Sequence, residues 1–156
     1  MPRTSDDAPD LVAVTIGFGN CVASMADFIF SGVLDRFPKL KLVYSEGQVG
    51  WIPFLLERAD DAWEKHRNGT FGTTAISEPP SYYYYRQIYG CFFKDYHGMS
   101  SLETLGVDNV TFECDYPHAD STWPNTSSLA RDMFSDLDPA TIEKIVRGNA
   151  ISLLEL

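Results

Sequence analysis

Histidine is scarce in this sequence of 156 residues, and the three present, His66, His97 and His118, stand far apart. No HxH or HExxH pair and no Cys/His cluster of zinc-binding spacing occurs, so the chain carries no self-contained histidine metal motif. GxGxxG, GxxxxGK[ST] and GxSxG are missing as well, which leaves hydride transfer, phosphoryl transfer and a serine nucleophile elbow without support. Cysteine is limited to Cys21, Cys91 and Cys114, which form no CxxC and cannot all pair, so reduced thiols are expected. Basic side chains are few: 12 Lys and Arg against 22 Asp and Glu leave a net charge of −10, which repels phosphate backbones and anionic lipid. Nucleic acid and membrane surfaces are therefore not expected as partners. Unbroken apolar runs reach only a few residues, against the ~20 that span a bilayer, and MPRTSDDAPD lacks the apolar core of a signal peptide. A cytoplasmic protein is the expectation.

What the chain has is the composition of a packed globular fold, with 44% hydrophobic and 13% aromatic residues. Residues 1–156 read as a single domain that opens on a polar surface segment, residues 1–12. Between Ile16 and Phe37 the apolar residues Val22, Met25, Ala26, Ile29, Val33 and Phe37 keep helical spacing up to Pro38. KLKLVYSE, residues 39–46, reads as a buried strand. Ile52, Leu55, Leu56, Ala59, Ala62 and Trp63 mark a second helix with Pro53 in its first turn. Residues 68–80, rich in Gly, Thr and Pro, read as a long loop. RQIYGCFF, residues 86–93, is a second strand with the aromatic run Tyr82 to Tyr85 at its entrance. Residues 99–105 are a short helix and NVTFEC, residues 109–114, a third strand. Two helical patterns close the chain, the last opened by Asp138 as N-cap and Pro139 at the first helical position.

Strands alternating with helices predict a parallel α/β sheet, and three strands are too few for a complete doubly wound or barrel fold. In such folds the chemistry sits at the carboxyl ends of strands. Glu46 closes the first strand and Asp115 follows the third. An ionised carboxylate there can ligate a metal or take a proton, although one such acid alone also fits a helix cap or a surface ion pair. His118, three residues after Asp115, is the histidine best placed to join it. His97 lies in a strand-to-helix loop, and His66 ends an exposed helix. Alternation sets Thr111, Glu113 and Asp115 on one strand face, where a buried Glu113 charge calls for a partner such as Arg86 or for a role in proton relay.

FSGVLDRFPKLKLVYSEGQVGWIPFLLERAD, PPSYYYYRQIYGCFF, VTFECDYPHADSTWP and RGNAISLLEL together resemble the amidohydrolase-related family, amidohydrolase 2, which contains metal-dependent hydrolases and nonoxidative decarboxylases. The resemblance implies a (β/α)8 TIM barrel, of which this chain supplies about three parallel strands, equivalent to strands 6 to 8, with their flanking helices. It implies a divalent metal, zinc or manganese, held by an HxH on the first strand, a His after the fifth and an Asp after the eighth. Asp115 takes the last of these places. The histidines have no counterpart here, and Glu46 stands where many members carry a sixth-strand His. By the same resemblance Glu46 and His118 assist catalysis, Arg86 meets a substrate carboxylate, and His118 and Trp123 border the pocket mouth.

A metal-dependent hydrolase or decarboxylase of small molecules, carboxylic acids among them, is thus expected of the complete enzyme. This chain alone is expected to bind metal weakly or not at all and to pair its open sheet with another copy or with the missing barrel half. A noncatalytic folding or interaction module is the competing expectation.

Overall fold

A computed structural model describes residues 5–69 and 75–156. The apolar stripe after Asp10 becomes three helices: α1 (Asp10–Thr15), α2 (Gly19–Phe30) and α3 (Val33–Arg36). The single long helix expected between Ile16 and Phe37 breaks at Gly32, whose φ of 72° no ordinary helical residue adopts. A side chain there would meet the backbone oxygen of Ala75 at 2.7 Å, so the turn is closed by packing as well.

With the turn at 16–18 between them, α1 and α2 run over Asp10–Phe30, 21 residues of mean hydropathy 1.5, long and apolar enough by length and composition alone to cross a membrane. The unbroken apolar runs inside it are short, as expected, because Thr15, Asn20, Ser24 and Asp27 interrupt them, and only the average over the whole stretch is apolar. In the fold Met25 and Ile29 of α2 are fully buried in the core, whereas Leu11, Val14, Phe18 and Phe28 are exposed.

The chain continues through β1 (Leu42–Tyr44), α4 (Ile52–His66), α5 (Pro80–Gln87), β2 (Ile88–Phe92), α6 (Tyr96–Ser100), α7 (Leu102–Leu105) and, after a 3₁₀ turn, β3 (Val110–Phe112). It closes with α8 (Thr126–Met133), α9 (Pro139–Glu143), a π-helical turn (Lys144–Gly148) and α10 (Asn149–Leu154). Asp138 caps α9 by accepting the amide N–H groups of Ala140 and Thr141, as its position before Pro139 predicts. α4 buries Ile52, Leu56, Ala59 and Trp63, the stripe expected from their spacing.

All three strands are parallel in the order β1-β2-β3, with Val43 opposite Tyr89 and Cys91 opposite Thr111. Ile88, Phe92 and Val110 are fully buried beneath the helices, and Phe92, Phe112 and Phe134 form an edge-to-face aromatic cluster there. Gly90 lets the loop before α4 and the start of α4 approach, since a Cβ would lie 2.6 Å from Val49 Cγ1 and 3.1 Å from Ile52 Cδ1. Val43, Tyr89, Cys91 and Thr111 share the opposite face. β1 is not the strand buried on both faces that its sequence suggests: Val43 is 45% exposed, and β1 and β3 are edges of the sheet among the described residues.

Buried amides hold the amino ends of the strands. Gln87 Nε2 donates to the carbonyls of Phe37 and Leu40, Asn109 Nδ2 to that of Ile88, and Asn149 Nδ2 to those of Val107 and Val110. The run Tyr82–Tyr85, expected at a strand entrance, lies inside α5, where Pro80 sets the first turn and Tyr83 and Tyr84 are fully buried. Consequently β2 begins at Ile88, not at Arg86. The loop expected at residues 68–80 falls partly outside the described residues.

Candidate metal centre at the carboxyl ends of the strands

Both strand-end acids stand on unusual backbone. Glu46, two residues beyond β1, has φ 59°, and Asp115, three beyond β3, has φ 60°; Gln48 adds φ 53°. Each left-handed non-glycine residue costs about 1–3 kcal/mol, and such strain concentrates where function needs a side chain in one place. The Glu113 side chain secures the first of these turns. Glu113 continues β3, its N–H donating to the Phe92 carbonyl at 2.9 Å, and its Oε1 accepts the Glu46 N–H at 2.7 Å. Glu113 thus pairs with Glu46 across the end of β2 and not with Arg86.

On the other side, the loop after β3 turns back so that the His118 N–H donates to the Asp115 carbonyl at 2.9 Å. This brings His118 Nδ1 to 2.7 Å from Asp115 Oδ2 and 3.6 Å from Glu46 Oε2. Ligand atoms of Glu46, Asp115 and His118 all lie within 4.8 Å of one another. The Asp115 side chain is 19% exposed, against 50% for Glu46 and 54% for His118. The hydrogen bond to Asp115, followed by that carboxylate's charge and then the charges of Glu46 and Asp120, raises the His118 pKa above its ordinary value. Segments 45–51 and 113–125 contribute four acids and no Lys or Arg, so the cluster is a region of negative potential in which His118 is the only basic side chain.

Two carboxylates and one imidazole on two strand ends form a donor set suited to manganese or zinc. It offers three candidate ligands, the number of protein ligands that catalytic zinc sites keep beside an open position. The family resemblance implies Asp115 as the metal ligand, and the structure sets Glu46 and His118 beside it.

Trp123, 61% exposed in the same loop, packs edge to face with Tyr116, their ring centres 5.2 Å apart. Arg86 is the candidate the structure separates from the others. Because α5 extends to Gln87, Arg86 sits at the amino end of β2, where it donates to the Leu34 carbonyl and to Gln87 Oε1 and lies over the Tyr82 and Tyr83 rings. Its expected meeting with a substrate carboxylate at the mouth is therefore corrected by strand direction. His97, in α6, lines a cavity of about 370 Å³ with Phe18, Gln48, Trp51 and Lys94. Lys94 and Gln48 went unremarked in the sequence, although Lys94 is the only cation in the segments directly after the three strands (45–51, 93–95 and 113–125).

Three parallel strands alternating with helices, with acids gathered at their carboxyl ends, have the arrangement of part of a (β/α)8 barrel. The chain belongs to the amidohydrolase family, whose sequence pattern it matches over residues 11–156. Among solved structures it is similar to an amidohydrolase from Mycobacterium avium subsp. paratuberculosis K-10, with 24% identity and a TM-score of 0.80 over 96% of this chain and 37% of that one. It is also similar to a dihydroxybenzoic acid decarboxylase from Polaromonas sp. JS666 with bound manganese and the inhibitor 2-nitroresorcinol (19% identity, TM-score 0.71, 99% of this chain and 48% of that one). A 2,6-dihydroxybenzoate decarboxylase complexed with 2,6-dihydroxybenzoate matches at 21% identity and a TM-score of 0.65 over 86% of this chain and 40% of that one. The chain spans less than half the length of each.

Proposed function

We propose that this chain forms the Glu46–Asp115–His118 part of a divalent-metal site in a hydrolase or nonoxidative decarboxylase acting on small carboxylic acids. The observation that carries this reading is the convergence of three ligand atoms within 4.8 Å from the ends of two strands separated by a third. Asp115 and Glu46 would hold the ion through oxygen and His118 through Nδ1, which gives up its proton on ligation. A divalent ion bound there polarises a substrate oxygen or lowers the pKa of a bound water. Asp115, the least exposed of the three, fixes His118. Glu46 faces solvent and is the carboxylate in position to take a proton from water or a substrate hydroxyl. The manganese and dihydroxybenzoate of the similar decarboxylases support manganese as the ion and an aromatic acid as the substrate class. The open edges of β1 and β3 take the remaining strands of the barrel from a longer polypeptide or a second chain, and the assembly works in the cytoplasm.

A noncatalytic module is the second reading, favoured by the half-exposed Glu46 and His118 and by the short span of the chain against its matches. Manganese titration followed by electron paramagnetic resonance separates the two. The metal reading expects saturable binding at one site, weak in the isolated chain, that Asp115→Ala abolishes and Asp115→Glu keeps in part. Absence of binding, or binding indifferent to Asp115→Ala, favours the module.

A further inference from the structure

Glu113 lies outside the group of three ligands, yet it touches the site. Its Oε1 accepts the Glu46 N–H at 2.7 Å, and its own N–H extends the β2–β3 ladder to Phe92. The carboxylate therefore reaches from one edge of the sheet, over the end of β2, to the loop that follows the other edge. Glu46 at φ 59° is a conformation a glutamate does not choose unaided, so something must hold it. A hydrogen bond to an ionised acceptor is the stronger kind. Cys91, buried on β2, has its thiol pushed up to about 12, chiefly by burial and further by the charge of Glu113, against the pull of the Thr111 hydroxyl.

We propose that Glu113 is a positioning residue that holds Glu46 in its left-handed turn and thereby keeps the Glu46 carboxylate beside Asp115 and His118. The role in metal binding rests on the function proposed above; the hold on Glu46 does not. Glu113 and Asp115 sit two residues apart in the segment that follows β3. Asp115 thus meets the imidazole while Glu113 holds the backbone of the turn that carries the opposite carboxylate. Residues that orient metal ligands in this way typically change affinity by roughly 10- to 100-fold when removed.

Two measurements on the intact chain test the proposal. Amide hydrogen exchange should find the Glu46 N–H protected in the wild type and in Glu113→Gln, whose side-chain oxygen still accepts, and fast in Glu113→Ala. Manganese affinity should follow the same order, falling roughly 10- to 100-fold in Glu113→Ala and staying close to wild type in Glu113→Gln. Rescue by glutamine distinguishes a hydrogen-bond role from mere negative charge, which glutamine lacks. Unchanged Glu46 protection in Glu113→Ala overturns the proposal. Lost protection with undiminished manganese affinity overturns its link to the site. A wild-type chain that binds no manganese defeats the metal reading, and the exchange pattern still decides whether Glu113 holds Glu46.

Discussion

His118 Nδ1 stands 2.7 Å from Asp115 Oδ2 and 3.6 Å from Glu46 Oε2, so one imidazole joins the ends of two strands that are not neighbours in the sheet. Its raised pKa makes this contact dependent on pH. A histidine whose folded pKa exceeds its unfolded value of about 6.5 contributes stability in full below that value and loses it as pH rises through the folded one. Melting temperatures of the wild type and His118→Gln should therefore differ most near pH 6 and converge on the alkaline side. A difference that grows with pH would reverse the sign and exclude the pairing.

The same proton competes with a metal ion for Nδ1. Manganese affinity should rise with pH until the raised His118 pKa is passed and then level off, with one proton released per ion bound below that pKa and none above it. Calorimetry in buffers of different ionisation enthalpy counts that proton. In His118→Ala this release should vanish and the overall affinity should drop.

Gly32→Ala tests the break between α2 and α3. The substitution places a Cβ at φ 72° and 2.7 Å from the Ala75 oxygen. The backbone conformation alone costs about 1–2 kcal/mol, and the clash adds to it. Urea unfolding should show a loss of at least about 1 kcal/mol; a midpoint equal to that of the wild type would mean the helix can run through Gly32.

Asn149→Ala removes both donors that serve the Val107 and Val110 carbonyls, at 2.6 and 2.8 Å. Buried acceptors left unpaired cost about 1–3 kcal/mol each. Denaturant unfolding should move by that order, and exchange protection around β3 should fall with it. Asn149→Asp, which keeps the size but has no donor, should do no better.

Much of the local structure is legible in the sequence because its causes are local. Ile52, Leu56, Ala59 and Trp63 recur at the period of a helix and bury that face of α4, and Asp138 before Pro139 caps the helix that follows. The placement of Glu46 and Asp115 at strand ends was readable too, since short apolar strands stop at the turns after Tyr44 and Phe112. The tyrosine run misleads by the same local rules: aromatic residues favour strands, but Pro80 starts a helix and the core takes Tyr83 and Tyr84 from its buried face.

Alternation and hydrophobic period assign faces within an element; they say nothing of which element lies beside which. The chain order alone therefore settled that three strands would alternate with helices and carry acids at their ends. Only the tertiary structure decided that β2 lies between β1 and β3, that the β3 loop folds back to bring His118 within reach of Glu46, and that Arg86 faces the opposite end of the sheet. The same holds for Glu113, which is 67 residues from Glu46 and meets it because the sheet order and register place the end of β3 across β2 from the turn after β1.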